Sequence, residues 1–425
     1  MAIILMAILL LFLLLGTPIY MTLILPSITA LSSTGTDGMI IIQRLIGGLD
    51  KFSIMAVPFF MYCADIMSAG EIGKRLVNLT KAFLGHLPGG IAIAAVAACT
   101  IFGAISGAGT AAVVAVGGLV YILMHDGRYE DHFSVGLIVT SSTLAMLIPP
   151  SIAYVLYSNI TGDSIAVLFM SGLQAGLIFC LALMVFCFAY ARVKKLSTLP
   201  KTNLRERLRA LKEGGLSLGM IVIILGGIYG GLCTATEAAA LAAVYAIFVE
   251  VLIYRSISIR ELFRISVRSG RTIAMLMILI AAGSVLSWVM TAMQIPQMMV
   301  ALMGNSSKAL VLLAINIIFL IAGMFIDPNS AIIILTPLIH PIAASVGINS
   351  VHLATVIVIN LAIGMLTPPF GLNIFVGTSV FKKPYAEVVS GIIPFIIISI
   401  ILLLLFTYIP GLSLAIPGWL LGYSR

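Results

Sequence analysis

Charge is what this sequence has least of. Only 9% of its 425 residues are charged while 61% are hydrophobic, against roughly 25% charged in an ordinary soluble domain. That scarcity excludes a water-soluble globule and leaves an integral membrane protein. Polar stretches long enough for a separate soluble domain are missing too, because apolar runs of about 20 residues recur along the chain. Those runs lack the strict alternation of a barrel strand, so the spans are helical. The five cysteines (Cys63, Cys99, Cys180, Cys187 and Cys233) lie in apolar segments without metal-ligand spacing, and they read as small packing residues with no disulfide framework. The first 25 residues carry no charge, and the first charged side chain is Asp37. A cleaved signal peptide needs a basic leader, so the reading is an uncleaved first span.

The charge that is present is unevenly placed. Residues 192–213 hold eight Lys/Arg and two Glu, and residues 255–271 hold five Arg and one Glu, although the net charge of the whole chain is only +8. Short loops rich in Lys and Arg stay on the cytoplasmic side. Both loops therefore face the cytoplasm, and the intervening 214–254 crosses and returns as two spans joined near Thr234 to Thr236. This distribution argues for a membrane topology signal and against nucleic-acid binding.

Two breaks interrupt the apolar sequence in the same way. MLIPPS at 146–151 and MLTPPF at 365–370 each place two prolines where a span should run, and proline removes a helical donor and clashes with the preceding turn. The pairs lie 219 residues apart, and an ungapped overlay of 141–176 on 360–395 also matches Ser171-Gly172 with Ser390-Gly391. Upstream of each is another break. ISGAGTA puts Ser106 43 residues before Pro149, and FIDPNSA puts Asp327 41 residues before Pro368. The unit is a broken hairpin followed by a broken helix, used twice. Unsatisfied backbone in lipid costs several kcal/mol per group, so such breaks persist only where protein or a polar cavity surrounds them. Paired interruptions in repeated halves point to a transporter's midplane site. A plain loop between spans is the competing reading, and its repetition with matched upstream breaks disfavours it.

The segments GHLPGG (85–90), FGAISGAGTAA (102–112), IPPSIAYVLY (148–157), TATEAAALAAVYA (234–246), GMFIDPNSAIIILTPLIHPIA (323–343) and NLAIGMLTPPFG (360–371) resemble, in order and over essentially the whole chain, the large membrane subunit of tripartite ATP-independent periplasmic (TRAP) transporters. The resemblance implies a multi-pass protein of the bacterial inner membrane that imports small organic acids, driven by sodium, through an elevator motion. It also implies two partners, a smaller four-helix membrane subunit and a soluble periplasmic substrate-binding protein. Because the chain starts with the large subunit's first span, the small subunit is expected as a separate chain. The expected fold is all-α and polytopic, with two repeats, taken as inverted, in an elevator-type scaffold plus transport domain. Its parts are scaffold spans in 1–88, a first repeat core in 89–191, the basic connector 192–213, further scaffold spans in 214–307, and a second repeat core with the terminal span in 308–425.

Carried over residue by residue, the resemblance implies a first sodium site at Ser106 and Gly107 with backbone around Ala145, Ile148, Pro149, Pro150 and Ser151. A second would use Asp327 with Gly364 to Thr367. Hard cations want the oxygen ligands that unwound backbone, hydroxyls and carboxylates supply. The chain departs from many members at the first tip, where Ala108 and Ala112 replace a second Ser and an acidic residue. No Arg or Lys stands in the broken segments, so a substrate carboxylate falls to helix N-termini with Asn329, Ser330, Asn360 and Thr367, and to the break at Pro150.

Ionisable residues in apolar surroundings complete the sequence evidence. A lone carboxylate at bilayer depth costs on the order of 2.5–3.5 kcal/mol on insertion scales, which a bound cation at Asp327 would offset; Asp327 also suits the N-cap of a helix starting at Pro328. Glu237 reads as a cap or first-turn charge, Asp65 and Glu71 as solvated ends, and His340 and His352 as packed or interfacial. A stand-alone symporter or antiporter of organic anions is the nearest rival. A polytopic membrane enzyme would show an intramembrane catalytic pair, and the candidate HDGRYEDH at 125–132 is a polar loop at a span end.

Overall fold

The structure is a computed structural model of the chain and describes residues 7–9, 11–12, 15–33, 37–196, 198–303 and 306–423. Much of the apolar first run lies outside those residues. Every regular element among the described residues is helical, and ten helices are long and apolar enough to cross a membrane.

The peripheral helices of the first half are α1 (Ile19–Ser33), α2 (Met39–Leu49), α3 (Ala56–Ala69) and α4 (Ile72–Leu84). The first hairpin follows as α5 (Gly90–Ser106) and α6 (Gly109–Asp126), then the first broken helix as α7 (Asp131–Ser142), α8 (Leu144–Leu147) and α9 (Ile152–Thr161), then the long α10 (Ile165–Lys194). The second half supplies α11 (Leu204–Tyr229), α12 (Ala235–Ile253), α13 (Ile259–Ala292) and α14 (Ile295–Met303). Its hairpin is α15 (Lys308–Phe325) and α16 (Pro328–Ser345), its broken helix is α17 (Ser350–Gly364) and α18 (Leu372–Phe381), and α19 (Tyr385–Tyr408) and α20 (Gly411–Leu421) close the chain.

Local chemistry sets many of these boundaries. Asn203 with Glu206, and Thr234 with Glu237, form reciprocal capping boxes at the starts of α11 and α12, so Glu237 is a cap, as its position in the sequence suggests. Ser258, Ser307 and Asn349 cap α13, α15 and α17 through their side-chain oxygens, satisfying amides that would otherwise be orphaned in or near lipid. The turn joining α11 to α12 spans 230–234, so the junction lies a few residues before the Thr234 to Thr236 read from the charge pattern, and Ala235 and Thr236 already belong to α12.

The two repeats run in opposite directions. Leu199 of the basic connector donates its amide to Gly85 O at 3.2 Å, which puts the start of α5 at the connector's end of the molecule. The second hairpin starts from the other end, where Tyr157 near the end of α9 donates to Ser350 O at 2.9 Å. Lys383, just after α18, then pairs with Asp131 at the start of α7 at 2.7 Å and with Glu387 at 2.9 Å. These two carboxylates hold the half-buried Lys383 ammonium above the usual lysine range. The α7–α9 helix thus leaves the connector end while α17–α18 returns to it. The most apolar window of 131–161 is wholly enclosed by other helices.

Helices α3 and α12 pack along each other, as do α13 and the pair α1 and α2. Close backbone approach decides several of the contacts within the repeats. A Cβ on Gly391 of α19 would sit 2.0 Å from His132 O, and one on Gly136 of α7 would sit 2.0 Å from Gly391 O, so only paired glycines permit this crossing. Leu181, Val185, Val222, Val244, Ile397 and Ile401 remain exposed, which suits contact with lipid rather than water.

Two acidic positions depart from a simple reading of the sequence or extend it, and the histidines follow it. Asp65 is not a solvated end, because it lies within α3, half-buried, and accepts from Ser269 of α13. Glu71 does pair with Arg75, at 3.2 Å and near the surface. The carboxylate that anchors this corner is Glu250, fully buried, which accepts the amides of Glu71 and Ile72 at 3.1 Å each and so caps α4 from α12. His352 is packed, facing Thr407 O at 3.2 Å through Nε2 and Ser413 Oγ at 3.1 Å through Nδ1. A carbonyl can only accept, so Nε2 carries the proton and Nδ1 accepts from Ser413. His340 meets Ser350 Oγ at 3.0 Å. Four of the five cysteines are buried, Cys233 is half-buried, and all are free.

Candidate functional site

The four breaks meet. At the first tip, α5 ends at Ser106, Gly107 takes the left-handed conformation at φ +63°, and α6 starts at Gly109. At the first broken helix the chain leaves helical geometry at Ile148, passes through a cis Pro149-Pro150 bond, and restarts at Ile152. The second tip is extended at Ile326 and Asp327, and the second broken helix contains a cis Pro368-Pro369 bond before α18. A cavity of about 100 Å³ draws its lining from all four, including Gly107, Ile152, Asp327, Asn329, Met365 and Leu372. A second, aromatic-walled cavity of about 210 Å³ adjoins it at Asp327 and Leu372, under Phe325, Phe370 and Phe375.

Helix polarity defines what this arrangement can hold. Four helices, α6, α9, α16 and α18, begin at the cavity and present amide ends. Four others, α5, α8, α15 and α17, terminate beside it and present carbonyl ends. Amide ends carry partial positive charge and carbonyl ends partial negative charge, so one small volume offers both anion-stabilising and cation-stabilising groups. Among the described residues no group of three or more His, Cys, Asp or Glu could hold a metal ion. A cation here would be held by backbone carbonyls, hydroxyls and the Asp327 carboxylate. That is an all-oxygen donor set, which fits an alkali cation and not a thiophilic metal.

The packing that holds the breaks open is specific. A Cβ on Gly107 would lie 2.4 Å from Pro150 O, so the first tip touches the first break directly. Gly103 lies against Ala145, and Gly172 and Gly176 of α10 let Leu147 O and Ile148 approach that helix. Ser151 donates to Met146 O at 2.6 Å, filling one acceptor that the break leaves free. Buried Ser106 makes only long contacts of 3.5 Å with the backbone of Ala108, which leaves its oxygen available as a ligand. On the other side, Gly323 of α15 and Gly364 of α17 meet backbone to backbone, a Cβ on Gly364 lying 2.6 Å from Gly323 Cα. Thr367 donates to Ile363 O at 2.8 Å, and the carbonyls of Met365 and Thr367 both face Gly371.

Asp327 caps α16, accepting the Ser330 amide at 3.0 Å and the Ser330 hydroxyl. It is half-buried on the cavity wall, and each carboxylate oxygen keeps a further lone pair for a ligand. Of the residues singled out from the sequence, Gly107, Asp327 and Asn329 line the cavity. Ser106, Ala145, Ile148, Pro149, Pro150, Ser151, Gly364 and Thr367 form the breaks behind it, and Ser330 is committed to Asp327. Asn360 is elsewhere: its amide donates to Asn316 Oδ1 and Val356 O at 2.8 Å each, inside a buried network with Thr407, so it ties α17 to α15.

One residue at the site is not evident from the spacing of the breaks. Asn373, in the first turn of α18, is fully buried, yet neither its Oδ1 nor its Nδ2 has a hydrogen-bond partner among the described residues. Its Nδ2 lies 3.3 Å from where a Cβ on Gly109 would stand, so an amide from the second repeat reaches the first repeat's tip. An unsatisfied buried amide costs about 1–3 kcal/mol. The signal in the sequence was a polar residue four positions after the second proline pair, inside an apolar helix.

Comparison with known proteins adds to this geometry. Residues 6–412 match the family described as tripartite ATP-independent periplasmic transporter, DctM component. Over 373 residues the chain is 41% identical to the C4-dicarboxylate TRAP transporter large permease protein DctM of Pseudomonas aeruginosa, covering 87% of each chain. It is 40% identical over 376 residues to the ectoine TRAP transporter large permease protein TeaC of Halomonas elongata, covering 88% of each. Among solved structures, the YdaH transporter of Alcanivorax borkumensis is similar in fold, with a TM-score of 0.60 at 12% identity over 91% of this chain and 88% of that one.

Proposed function

The chain belongs to the DctM component family of tripartite ATP-independent periplasmic transporters, and from that premise we propose that it is the permease subunit of a sodium-coupled importer of small organic acids. The carrying observation is the meeting of four amide ends and four carbonyl ends at one cavity, which suits an anion and sodium bound side by side. Asp327, Ser106, Thr367 and the carbonyls of the breaks would hold sodium. Asn329, Asn373 and the helix N-termini would hold the acid's carboxylate. The two relatives are named for different substrates at nearly equal identity, so the class of acid rests on the helix termini and not on the likeness.

The remaining parts of the reading follow the family. A small four-helix membrane subunit would stand beside the outer helices, and a soluble periplasmic binding protein would deliver the acid. The repeats would move as a body against α1–α4 and α11–α14 in an elevator stroke, in the inner membrane, with the basic connector cytoplasmic. An inward sodium ion gains about 2.3 kcal/mol per 100 mV of membrane potential beyond its concentration gradient, so losing a bound ion removes a sizeable share of the drive.

Asp327→Asn tests the site, because it keeps capping ability while removing charge. Vesicles containing the chain, its small subunit and a loaded binding protein should take up substrate only under an inward sodium gradient. The Asn variant should insert normally, transport far less, and need more sodium for half-maximal rate. Unchanged transport and sodium dependence would remove Asp327 from the ion site. Robust uptake by this chain alone without sodium would instead favour a stand-alone carrier.

A further inference from the structure

A second polar cavity lies further along α9 and α16, about a turn of α9 beyond the residues that line the first. It measures about 280 Å³ and sits on the seam between the outer helices α2 and α13 and the repeat helices α9 and α16. Two cations line it, Arg44 and Lys51, seven residues apart, with no acidic residue in the wall. Neither forms an ion pair among the described residues: Lys51 Nζ donates to Asn159 O at 2.9 Å, and the Arg44 guanidinium lies over Trp288 at 5.2 Å from the ring centroid. Ser284, Ser287 and Thr291 add hydroxyls along the α13 wall. At Lys51 and Asn159 the cavity adjoins a wider one of about 520 Å³, which opens between the 162–164 turn and the turn that leads into α12 at Cys233 and Thr234. Both turns lie at the end of the molecule away from the basic connector.

We propose that Arg44 and Lys51 form an encounter site for a carboxylate anion at the seam, on the side from which the acid arrives. Two like charges facing one cavity without a carboxylate between them repel each other, and an anion between them reverses the sign of that interaction. The deep cavity has no cationic side chain in its lining, so an approaching acid is drawn first to these two residues. The site is walled by Leu156, Ile333 and Pro337 from the repeat helices. It therefore opens or closes as those helices shift against α2 and α13, which a headgroup site facing the bilayer would not do. The identity of the anion, though not the existence of the site, rests on the proposed transport of organic acids.

Trp288 provides a local reporter, since the chain has only two tryptophans and Trp419→Phe leaves it alone. The full chain in neutral detergent is titrated with succinate and with acetate at constant ionic strength, with chloride as the control anion, while Trp288 fluorescence is followed. A saturable change with carboxylates and not with chloride is expected. Arg44→Gln and Lys51→Gln, each checked for a monodisperse elution profile, should each raise the half-saturating concentration roughly fivefold or more, the loss of one close charge contact. Lys51→Arg should restore it, and Asp327→Asn, which acts at the deep cavity, should leave it unchanged. No saturable change with either carboxylate, or a change that survives loss of both cations, overturns the proposal. So does a response seen only with anionic lipid, which assigns the cations to headgroups. A saturable Trp288 response in a chain that moves no organic acid would keep the site and reject the transport reading.

Discussion

Replacing Gly107 by alanine adds one methyl group at the contact between the first tip and the first break. Gly107 sits at φ +63°, a region that costs an L side chain about 1–2 kcal/mol. The new Cβ would stand 2.4 Å from Pro150 O, about 1 Å inside van der Waals contact with rigid backbone, and overpacking of that kind costs about 1–3 kcal/mol. Reduced freedom of the unfolded chain returns about 0.4–1 kcal/mol, so the net penalty is about 1–4.5 kcal/mol. That is too small to stop a helical membrane protein from inserting, but the tip can relieve it by moving away from Pro150, which separates Ser106 from the carbonyls of the break. Gly107→Ala should therefore be produced at near-normal level, with uptake strongly reduced and the sodium needed for half-maximal uptake raised. Gly118→Ala is the matched control, because nothing lies within 4 Å of its added Cβ and alanine favours the helix by about 0.5–1 kcal/mol. An alanine at position 107 with parental uptake and sodium dependence would refute the argument that this contact builds the ion site.

Asn373→Ala should abolish or strongly reduce uptake while barely moving the thermal unfolding midpoint, since neither amide atom holds a partner in the fold; a large fall in the midpoint with uptake retained would make Asn373 structural. Gly70→Ala places a Cβ 2.1 Å from Glu250 Cδ and should lower stability by about 1–3 kcal/mol, and combined with Glu250→Ala the losses should be less than additive; strict additivity in thermal unfolding would place the clash elsewhere. In a cysteine-free background, Lys201→Cys should react with an impermeant thiol reagent only in inverted vesicles and Leu232→Cys only in intact cells. The reverse pattern would overturn the orientation.

The sequence alone determined the solvent, the helical class and the four places where helices stop. Scarce charge requires lipid, lipid requires closed backbone hydrogen bonding, and the exceptions at Ser106, Pro149, Asp327 and Pro368 must then be sheltered. It also placed the Glu237 cap and, to within a few residues, the turn between α11 and α12, because both depend on residues within one or two turns. Three-dimensional packing decided what lies far apart along the chain: that the breaks from both repeats share one cavity, that the Asn360 nitrogen is bound to Asn316, and that neither amide atom of Asn373 has a partner among the described residues. Glu250 reaches the amides of Glu71 and Ile72 from about 180 residues away, and Asp65 finds Ser269 at similar range. A local pattern carries no sign of such partners, because hydrogen-bond energy depends on distance in space and the order of the helices around the centre is settled only when all of them pack.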